Sequence, residues 1–522
     1  MHDFLVDPAG WLGERPLWVA APVTAVLGAL AASGQEPWSL WPLSAVAFAC
    51  LFGCFVAATT MHRAAWLGLA GGTGYFAVAL SWIVEPFLVD APRHGWMAPF
   101  AVIFISLGFG LFWAGAQAAA KTVTSAVTIT AASAVGGTSG GALIWAAMLT
   151  LSEALRGWLF TGFPWAQPGH GWISTPMLHW ASVGGALPLT FVLLIAGAGL
   201  WHLALGRRTP GAAALAIIAA LYIGGPFIAQ APQTDAAAPI VRLVQPNVPQ
   251  DEKWDPAKMV FYFDRQMAFT AAGTPPDLIV WPETALPVLL NGAEAILAQI
   301  TVAARGTPVV LGVQRAEDAR YYNSLLLLDG QGRQAAVYDK HHLVPFGEYV
   351  PLGNFMARFG IRGLAQQGGY GYSAGPGPRL IDMGDLGRAL PLICYEGVFA
   401  RDVAGAPGRA DFLLLITNDA WFGKVSGPYQ HLAQARLRSA EQGLPMIRAA
   451  NTGVSAIIDA AGRITAHIPL GEAGYLDVPL PPPGAPTFYS RTGDLPALLL
   501  LLLIVIVPGA LHPRKIAHAL RR

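Results

Sequence analysis

Three side chains with useful chemistry each follow an apolar stretch that is typical of a buried strand. Glu283 follows DLIVWP, Lys340 follows VYD, and Cys394 follows LPLI. A thiol attacks as its thiolate and needs a base or a cation nearby. A carboxylate in a partly dry site can be that base near neutral pH, and a buried ammonium stabilises a developing oxyanion. These residue types would suit covalent catalysis through an oxyanion.

The spacing by itself does not bring the three residues together. Glu283 and Lys340 are 57 residues apart, and Lys340 and Cys394 are 54 apart, so only the fold could join them. Glu283 and Lys340 each also have an ordinary alternative, as a solvated carboxylate and a surface lysine. Three histidines match no zinc signature, which favours packing or substrate contact over a metal site: His341, His342 and His431.

The composition points to a membrane protein. Of 522 residues, 54% are hydrophobic and 12% are charged, whereas a soluble protein carries roughly 25% charged residues. The net charge of +1 argues against a nucleic-acid partner, which would need a basic face. Three cysteines are too few for a disulfide framework, and Cys50 and Cys54 lie inside an apolar run, as small buried residues do.

Eight apolar runs are long enough for membrane-spanning helices, which need about 20 residues. They cover roughly 16–33, 39–59, 64–87, 97–119, 142–160, 177–205, 210–229 and 496–512. Charged residues are sparse before Asp235 and much denser after it. We therefore predict a membrane domain of seven helices over 1–234, a catalytic domain over 235–490, and a closing helix with a basic tail over 491–522.

The region 235–490 alternates short apolar strands with amphipathic helices, as an α/β domain does. Strands are predicted at 240–245, 277–281, 308–313, 324–330, 390–395 and 412–417, with a hairpin over 454–468. Helices are predicted at 257–272, 292–305 and 427–442.

Basic residues set the predicted orientation. With the N-terminus in the cytoplasm, most basic residues that flank the runs lie inside, as the positive-inside rule requires. They are Arg15, Arg63, Lys121, Arg207, Arg208, Arg514, Lys515, Arg521 and Arg522. Seven spans then put the domain 235–490 outside the cytoplasm. Glu153 and Arg156, near the end of one run, are interpreted as an ion pair on the helix surface.

Longer motifs resemble one protein family. WPETALP (281–287), YDKHHLVPFGEYVP (338–351), LPLICYEGVF (390–399) and ITNDAWFG (416–423) are similar to the nitrilase, or carbon–nitrogen hydrolase, superfamily. FTGFPWAQPG (160–169), VQPNVPQDEKWDP (244–256) and YYNSLLLLDG (321–330), together with the eight apolar runs, resemble its membrane-bound branch, the bacterial apolipoprotein N-acyltransferases.

The resemblance implies a fold and a site. The fold would be a polytopic α-helical membrane domain joined to an α-β-β-α sandwich. Glu283 would be the general base, Lys340 the cation that stabilises the oxyanion, and Cys394 the acylated nucleophile. Supporting or substrate-binding positions would be Glu348, Glu396, Tyr395, Asn323, Trp254 and Phe422.

The implied reaction has two steps, in the bacterial inner membrane with the catalytic domain facing the periplasm. Cys394 takes an acyl chain from a phospholipid, with phosphatidylethanolamine as the expected donor, and forms a thioester. The α-amine of a diacylglyceryl-cysteine at the start of an apolipoprotein then attacks this thioester, which completes a triacylated lipoprotein. The resemblance implies no metal and no organic cofactor, and the partners are lipid, bilayer and apolipoprotein.

Two other classes stay as alternatives. A membrane-tethered amidase or nitrile hydrolase could use the same Glu/Lys/Cys set, but it would not need so large a membrane domain. A transporter or scaffold would need no catalytic set, and the apolar runs carry few charges for an ion path.

Overall fold

Two compact units make up the chain in a computed structural model that describes residues 15–128, 137–228, 231–318, 320–351 and 371–510. The described residues of 1–84, 97–228 and 491–522 form a helical unit. Those of 85–96 and 229–490 form an α/β unit. The segment Glu85–Trp96 therefore packs with the α/β unit, although it lies between two helices of the helical unit in sequence.

Eleven described helices have more than ten residues. They are α1 Leu17–Ala31, α2 Trp41–Ala57, α3 Met61–Ala79, α4 Ala98–Thr128, α5 Gly137–Arg156, α6 Ala186–Ala204, α7 Arg208–Ile228, α8 Pro256–Ala271, α9 Glu294–Ala304, α10 Gly427–Gln442 and α11 Leu495–Ala510. Shorter helical turns are Ala32–Gly34, Ser81–Val84, Glu85–Leu88, Ala91–His94, Gly95–Met97, Pro168–Trp172, Pro176–Trp180, Ala181–Gly184, Gly384–Leu386, Cys394–Val398, Ala400–Ala404, Asp419–Phe422 and Phe488–Thr492.

Helices α1 to α7 and α11 form the helical unit, and each overlaps one predicted apolar run. In the described part of the chain, four helical segments are long and apolar enough to cross a bilayer, and a fifth qualifies if two helices that meet at a bend count as one. The apolar helices Trp41–Ala57 and Leu495–Pro508 are shorter. The expected helical region with several apolar, membrane-type helices is confirmed, whereas the number of eight spans is matched only roughly.

Small residues let α1 and α3 approach each other closely. A Cβ atom on Gly28 would lie 1.9 Å from the carbonyl oxygen of Gly71. A Cβ atom on Gly74 would lie equally close to the carbonyl oxygen of Ala25, at 1.9 Å. This close backbone contact is the usual way in which membrane helices pack.

The ion pair of Glu153 and Arg156 is buried, so its predicted position on the helix surface is wrong. The two residues are 0% and 2% exposed, and the guanidinium bonds the carboxylate and the carbonyl of Phe163. Trp113 Nε1 donates to Glu153 Oε1 at 2.8 Å, and Arg156 Cζ lies 4.8 Å from the ring centre of Phe76. This face of α5 packs against aromatic residues of α3 and α4, so each charge needs the other as its partner.

The α/β unit contains two six-stranded sheets. Its strands are β1 Ile240–Gln245, β2 Leu278–Val280, β3 Val309–Glu317, β4 Arg320–Leu328, β5 Gln334–Asp339, β6 Ile381–Asp382, β7 Arg388–Ile393, β8 Phe412–Thr417, β9 Met446–Ala450, β10 Ser455–Ile458, β11 Ile464–Ile468 and β12 Gly474–Pro479. Their orders are β12-β1-β2-β3-β4-β5 and β11-β10-β9-β8-β7-β6. Three neighbouring interior strands of each sheet, β1-β2-β3 and β7-β8-β9, are parallel.

The two sheets lie between layers of helices. Helix α9 and residues of α8 pack on the first sheet around Trp281 and Ile300, and α10 packs on the second around Leu415 and Ala435. Side chains of the two sheets meet between them, where Ser455 Oγ donates to Gln245 Oε1 at 2.6 Å. The expected α-β-β-α sandwich is confirmed.

Every predicted strand and helix of this unit is present, with ends shifted by a few residues. The sequence analysis missed β6, β9 and β12. Strand β12 completes the first sheet by pairing antiparallel with β1, from Ile240 opposite Pro479 to Gln245 opposite Gly474. Its edge position gives it an alternating pattern of partial burial rather than a continuous apolar run.

Candidate active site

The three predicted catalytic side chains lie at or just beyond strand ends of the α/β unit. Glu283 follows β2, Lys340 follows β5, and Cys394 follows β7. They are 6%, 1% and 5% exposed, so each is nearly dry. The two sheets face each other, so residues from both can contribute to one site.

Lys340 lies between two carboxylates. Its Nζ atom is 2.9 Å from Glu348 Oε1 and 3.6 Å from Glu283 Oε1. Asn323 Nδ2 donates to the same two oxygens, at 2.6 Å to Glu283 and 3.1 Å to Glu348. Burial opposes the charge of the lysine, but the two carboxylates outweigh it and raise the pKa of Lys340. The ammonium is therefore charged and fixed by its neighbours.

The remaining oxygen of each carboxylate is held by a backbone amide. Glu283 Oε2 accepts from the N–H of Asn418 at 2.7 Å, and Glu348 Oε2 accepts from the N–H of Val344 at 2.8 Å. The loop of Glu283 also lies directly on strand β3, since a Cβ atom on Gly312 would be 2.5 Å from Glu283 Cα. Glycine at this position lets the two backbones touch and leaves Glu283 little room to shift.

Cys394 begins a helical turn in a left-handed backbone conformation, with φ at 51°. Burial raises the pKa of its thiol well above the ordinary value, and the charge of Glu283 raises it further. The charge of Lys340 and a hydrogen bond with Thr417 act in the opposite direction. The thiol is therefore protonated at rest, and the charges of Glu283 and Lys340 are close enough to act on it.

Glu396 ties the loop of Lys340 to the turn of Cys394. Its fully buried carboxylate accepts from the backbone N–H of His341 at 2.7 Å and from that of Ile393 at 2.7 Å. The hydroxyl of Tyr338 donates to it at 3.0 Å. His341, next to Lys340, and Ile393, next to Cys394, thus both donate a backbone N–H to the carboxylate of Glu396. This contact suits the supporting position expected for Glu396.

Tyr395 and Phe422 are buried aromatic residues, and each packs edge-on against a neighbouring ring. The ring of Tyr395 is 4.8 Å from that of Phe399 and 5.4 Å from that of His342. Phe422 contacts the ring of His431 at 5.4 Å.

Trp254 lies on another side of Glu283. It lines a pocket whose wall also includes Glu283, Met259 and Tyr262. The structure thus gathers Glu283, Lys340, Glu348 and Asn323 in direct contact, whereas Trp254 shares a pocket wall with Glu283 and Tyr395 directly follows Cys394.

Two contributors to the site were missed in the sequence analysis. The backbone of Asn418 holds Glu283, and nothing in the residue type predicts a main-chain contact. Lys253 Nζ donates to Thr284 Oγ1 at 2.6 Å and to the carbonyl of Glu283 at 3.4 Å. Burial lowers the pKa of Lys253 to about 8, although the charge of Glu283 opposes this shift. Its position next to Trp254 in the DEKWDP motif was the available signal.

Three histidines of the α/β unit, His341, His342 and His431, pair with carboxylates. His341 contacts Glu396 and His342 contacts Asp402, each through Nδ1 at 2.6 Å. In the parts of the chain that the structure describes, no three His, Cys, Asp or Glu side chains are grouped as metal ligands would be. Glu283 and Lys340 together offer a carboxylate that can accept a proton and an ammonium that can stabilise negative charge.

Comparisons with known proteins match both units. Residues 229–484 match the model of the carbon–nitrogen hydrolase family, and residues 27–199 match that of the apolipoprotein N-acyltransferase N-terminal domain. Two relatives carry the name apolipoprotein N-acyltransferase. The one from Rhodopseudomonas palustris is 35% identical over 94% of this chain and 95% of its own length. The one from Caulobacter vibrioides is 34% identical over 97% of each chain.

Solved structures match about half of the chain. A CN-hydrolase superfamily protein from Xanthomonas campestris is 22% identical, covers 50% of this chain and 96% of its own, and has a TM-score of 0.35. A mutant of the Nesterenkonia AN1 amidase, from the nitrilase superfamily, is 18% identical, covers 50% and 97%, and has a TM-score of 0.34.

Proposed function

Because the chain belongs to the apolipoprotein N-acyltransferase family, we propose that Glu283, Lys340 and Cys394 transfer an acyl chain from a phospholipid to the α-amine of a lipoprotein. As a member of that family the protein is a multi-pass membrane N-acyltransferase that acts on lipoprotein and lipid substrates. The proposal adds the donor, the covalent intermediate and the role of each residue.

In the first half-reaction, Glu283 takes the proton of the Cys394 thiol as the sulfur attacks the ester carbonyl carbon of the phospholipid. A base is needed because the pKa of the buried thiol is raised. The carbonyl oxygen becomes an oxyanion, which the ammonium of Lys340 stabilises. When the intermediate collapses, the C–O bond breaks, and the protonated Glu283 gives its proton to the departing lysophospholipid. Cys394 is left as a thioester.

In the second half-reaction, the α-amine of the diacylglyceryl-cysteine attacks the thioester carbonyl. Glu283 accepts a proton from the amine, and Lys340 again faces the oxyanion. The C–S bond then breaks, the sulfur leaves, and the proton returns to it, which restores the thiol. A nearly dry site favours this outcome, because water would otherwise compete with the amine for the thioester.

The observation that carries the proposal is the position of Lys340. One charged, fully buried ammonium lies 2.9 Å and 3.6 Å from two carboxylate oxygens, and its charge acts on the pKa of Cys394. One carboxylate would be enough to neutralise the charge of Lys340. Because Lys340 contacts two carboxylates, the three groups carry one net negative charge near the thiol. Glu283 can therefore accept a proton while Glu348 still pairs with the charged lysine.

Phosphatidylethanolamine is the proposed donor, and the inner membrane with the α/β unit in the periplasm is the proposed location. The proposed domains are 1–234, 235–490 and 491–522. Val302, which is 78% exposed on α9, offers a labelling site for the orientation. A cysteine at this position should react with an impermeant maleimide in intact spheroplasts, and protection there would reverse the orientation.

The test of the chemistry is mass spectrometry of the purified protein after incubation with phosphatidylethanolamine and no acceptor. The expected result is an added acyl mass on Cys394, which disappears when a diacylglyceryl lipopeptide is supplied and reappears as an amide on that peptide. Cys394→Ala is the control for the site of modification. Release of free fatty acid without any acylated peptide would instead support the hydrolase alternative.

A further inference from the structure

A fully buried cluster of charged and polar side chains lies behind Cys394 and has no part in the proposed chemistry. Asp419 follows β8, His431 lies on α10, and Arg448 lies on β9. His431 Nδ1 is 2.9 Å from Asp419 Oδ1, and Arg448 Nη2 is 2.7 Å from Asp419 Oδ2. All three residues are 0% exposed. Burying charged groups costs desolvation free energy, so a functional role would explain why this cluster is present.

The cluster contacts the backbone of Cys394. His431 Nε2 is 3.2 Å from the carbonyl oxygen of Cys394, which is a hydrogen-bond distance to an acceptor. The carbonyl can only accept, so Nε2 must carry the proton. The other ring nitrogen, Nδ1, has a partner whether the imidazole is charged or neutral. A charged imidazole can donate from Nδ1 to Asp419, and a neutral one can accept at Nδ1 from Arg448 Nη2 at 3.1 Å.

The same cluster also reaches the loop that holds the base. Thr417 Oγ1 donates to Asp419 Oδ1 at 2.8 Å, and Thr417 is itself hydrogen-bonded to the Cys394 side chain. The next residue, Asn418, gives its backbone N–H to Glu283. Burial opposes ionisation of Asp419, but Arg448 and His431 outweigh it and lower the pKa of Asp419. The carboxylate therefore stays charged and anchors this loop.

We propose that His431 is a positioning residue, which holds the carbonyl of Cys394 and so fixes the sulfur relative to Glu283 and Lys340. Cys394 has a positive φ of 51°, a strained conformation for a residue with a side chain, which persists only when its surroundings impose it. The imidazole, anchored by Asp419 and Arg448, supplies such a constraint at the carbonyl end of the strained residue.

The inference rests on the proposed role of Cys394 and predicts a kinetic effect of a particular kind. His431→Phe keeps a ring of similar size, next to Phe422, and removes both nitrogens. A shift of about 1 Å in a reacting atom can cost about 100-fold in rate. We expect the single-turnover rate constants of both half-reactions to fall about 10- to 100-fold, because the same sulfur serves both, while the KM for phosphatidylethanolamine changes less than about threefold.

The amplitude of acyl-enzyme formation separates positioning from folding. A positioning role leaves the final amount of thioester per folded protein near that of wild type and slows its formation. A merely structural role lowers the amplitude but leaves the rate constant unchanged, and that result would overturn the proposal. His431→Gln retains an N–H donor of shorter reach and should lie between wild type and His431→Phe. It also keeps the test valid if the phenylalanine variant does not fold.

His467→Gln is the matched control, since this histidine lies exposed on strand β11, in the same sheet as the strand β7 that precedes Cys394. It should leave both rate constants unchanged. Failure of the proposed function would look different, because wild-type protein would then form no thioester on Cys394 at all. Normal acylation of wild type, combined with a wild-type rate constant in His431→Phe, would refute only the positioning role.

Discussion

Replacing Lys340 by methionine removes one charge from the centre of the site while keeping most of the apolar stem. The ammonium lies 2.9 Å from Glu348 and 3.6 Å from Glu283, and it is the proposed partner of the oxyanion in both half-reactions. Loss of a preorganised oxyanion donor costs about 100- to 1,000-fold in rate, or roughly 3–4 kcal/mol. We expect Lys340→Met to slow thioester formation and aminolysis by at least this factor.

The substitution also has a cost in stability. It removes the ammonium that lies between the buried carboxylates of Glu283 and Glu348, and breaking a buried ion pair in this way typically costs about 3–5 kcal/mol. Adding Glu348→Gln removes one of the two charges, so the double variant should regain much of the lost thermal stability. It should not regain activity, because the cation is still missing. This difference separates the catalytic effect from the folding effect.

The assay is rapid quenching followed by intact-protein mass spectrometry, which measures the thioester on Cys394. A chase with a diacylglyceryl lipopeptide measures the second half-reaction on enzyme acylated by long incubation. Lys258→Met is the matched control, because Lys258 is half-exposed on α8 and pairs with Glu252 at the surface, at 2.7 Å. If folded Lys340→Met keeps both rate constants within about threefold of wild type, the oxyanion is stabilised elsewhere and the reasoning fails.

Three further substitutions test the remaining parts of the site. Cys394→Ala should fold with a wild-type melting temperature, because it removes only a small buried group. It should give no acyl adduct by mass spectrometry, and an adduct on this variant would show that another residue is the nucleophile. Glu283→Gln should slow thioester formation about 100- to 10,000-fold. It should also let iodoacetamide alkylate Cys394 at lower pH, because the carboxylate charge that raises the pKa of the thiol is gone. An unchanged pH profile of alkylation would contradict this coupling between Glu283 and Cys394. Gly312→Ala would put a Cβ atom 2.4 Å from the backbone nitrogen of Thr284. We therefore expect the free energy of unfolding, measured by heat or denaturant, to fall by about 1–3 kcal/mol. An unchanged free energy of unfolding would mean that the loop of Glu283 can move away freely.

Local pattern in the sequence was enough for most of the architecture. Long apolar runs predict membrane helices because each span must satisfy its own backbone hydrogen bonds over about 20 residues. Short apolar segments between turns predict the strands of a sheet covered on both faces, as β1, β7 and β8 are. The same pattern misses β12, since pairing with β1 depends on a segment more than 200 residues away in the chain.

The sequence by itself identified Glu283, Lys340 and Cys394 as polar residues at strand ends, and its motifs identified the family. Only the tertiary structure decided which partners they have. Backbone donors such as Asn418 are invisible to residue type, and the charges of Glu153 and Arg156 proved buried because neighbouring helices cover their face. Distances between side chains depend on how two sheets and their helices pack, and packing is a property of the whole chain rather than of any segment.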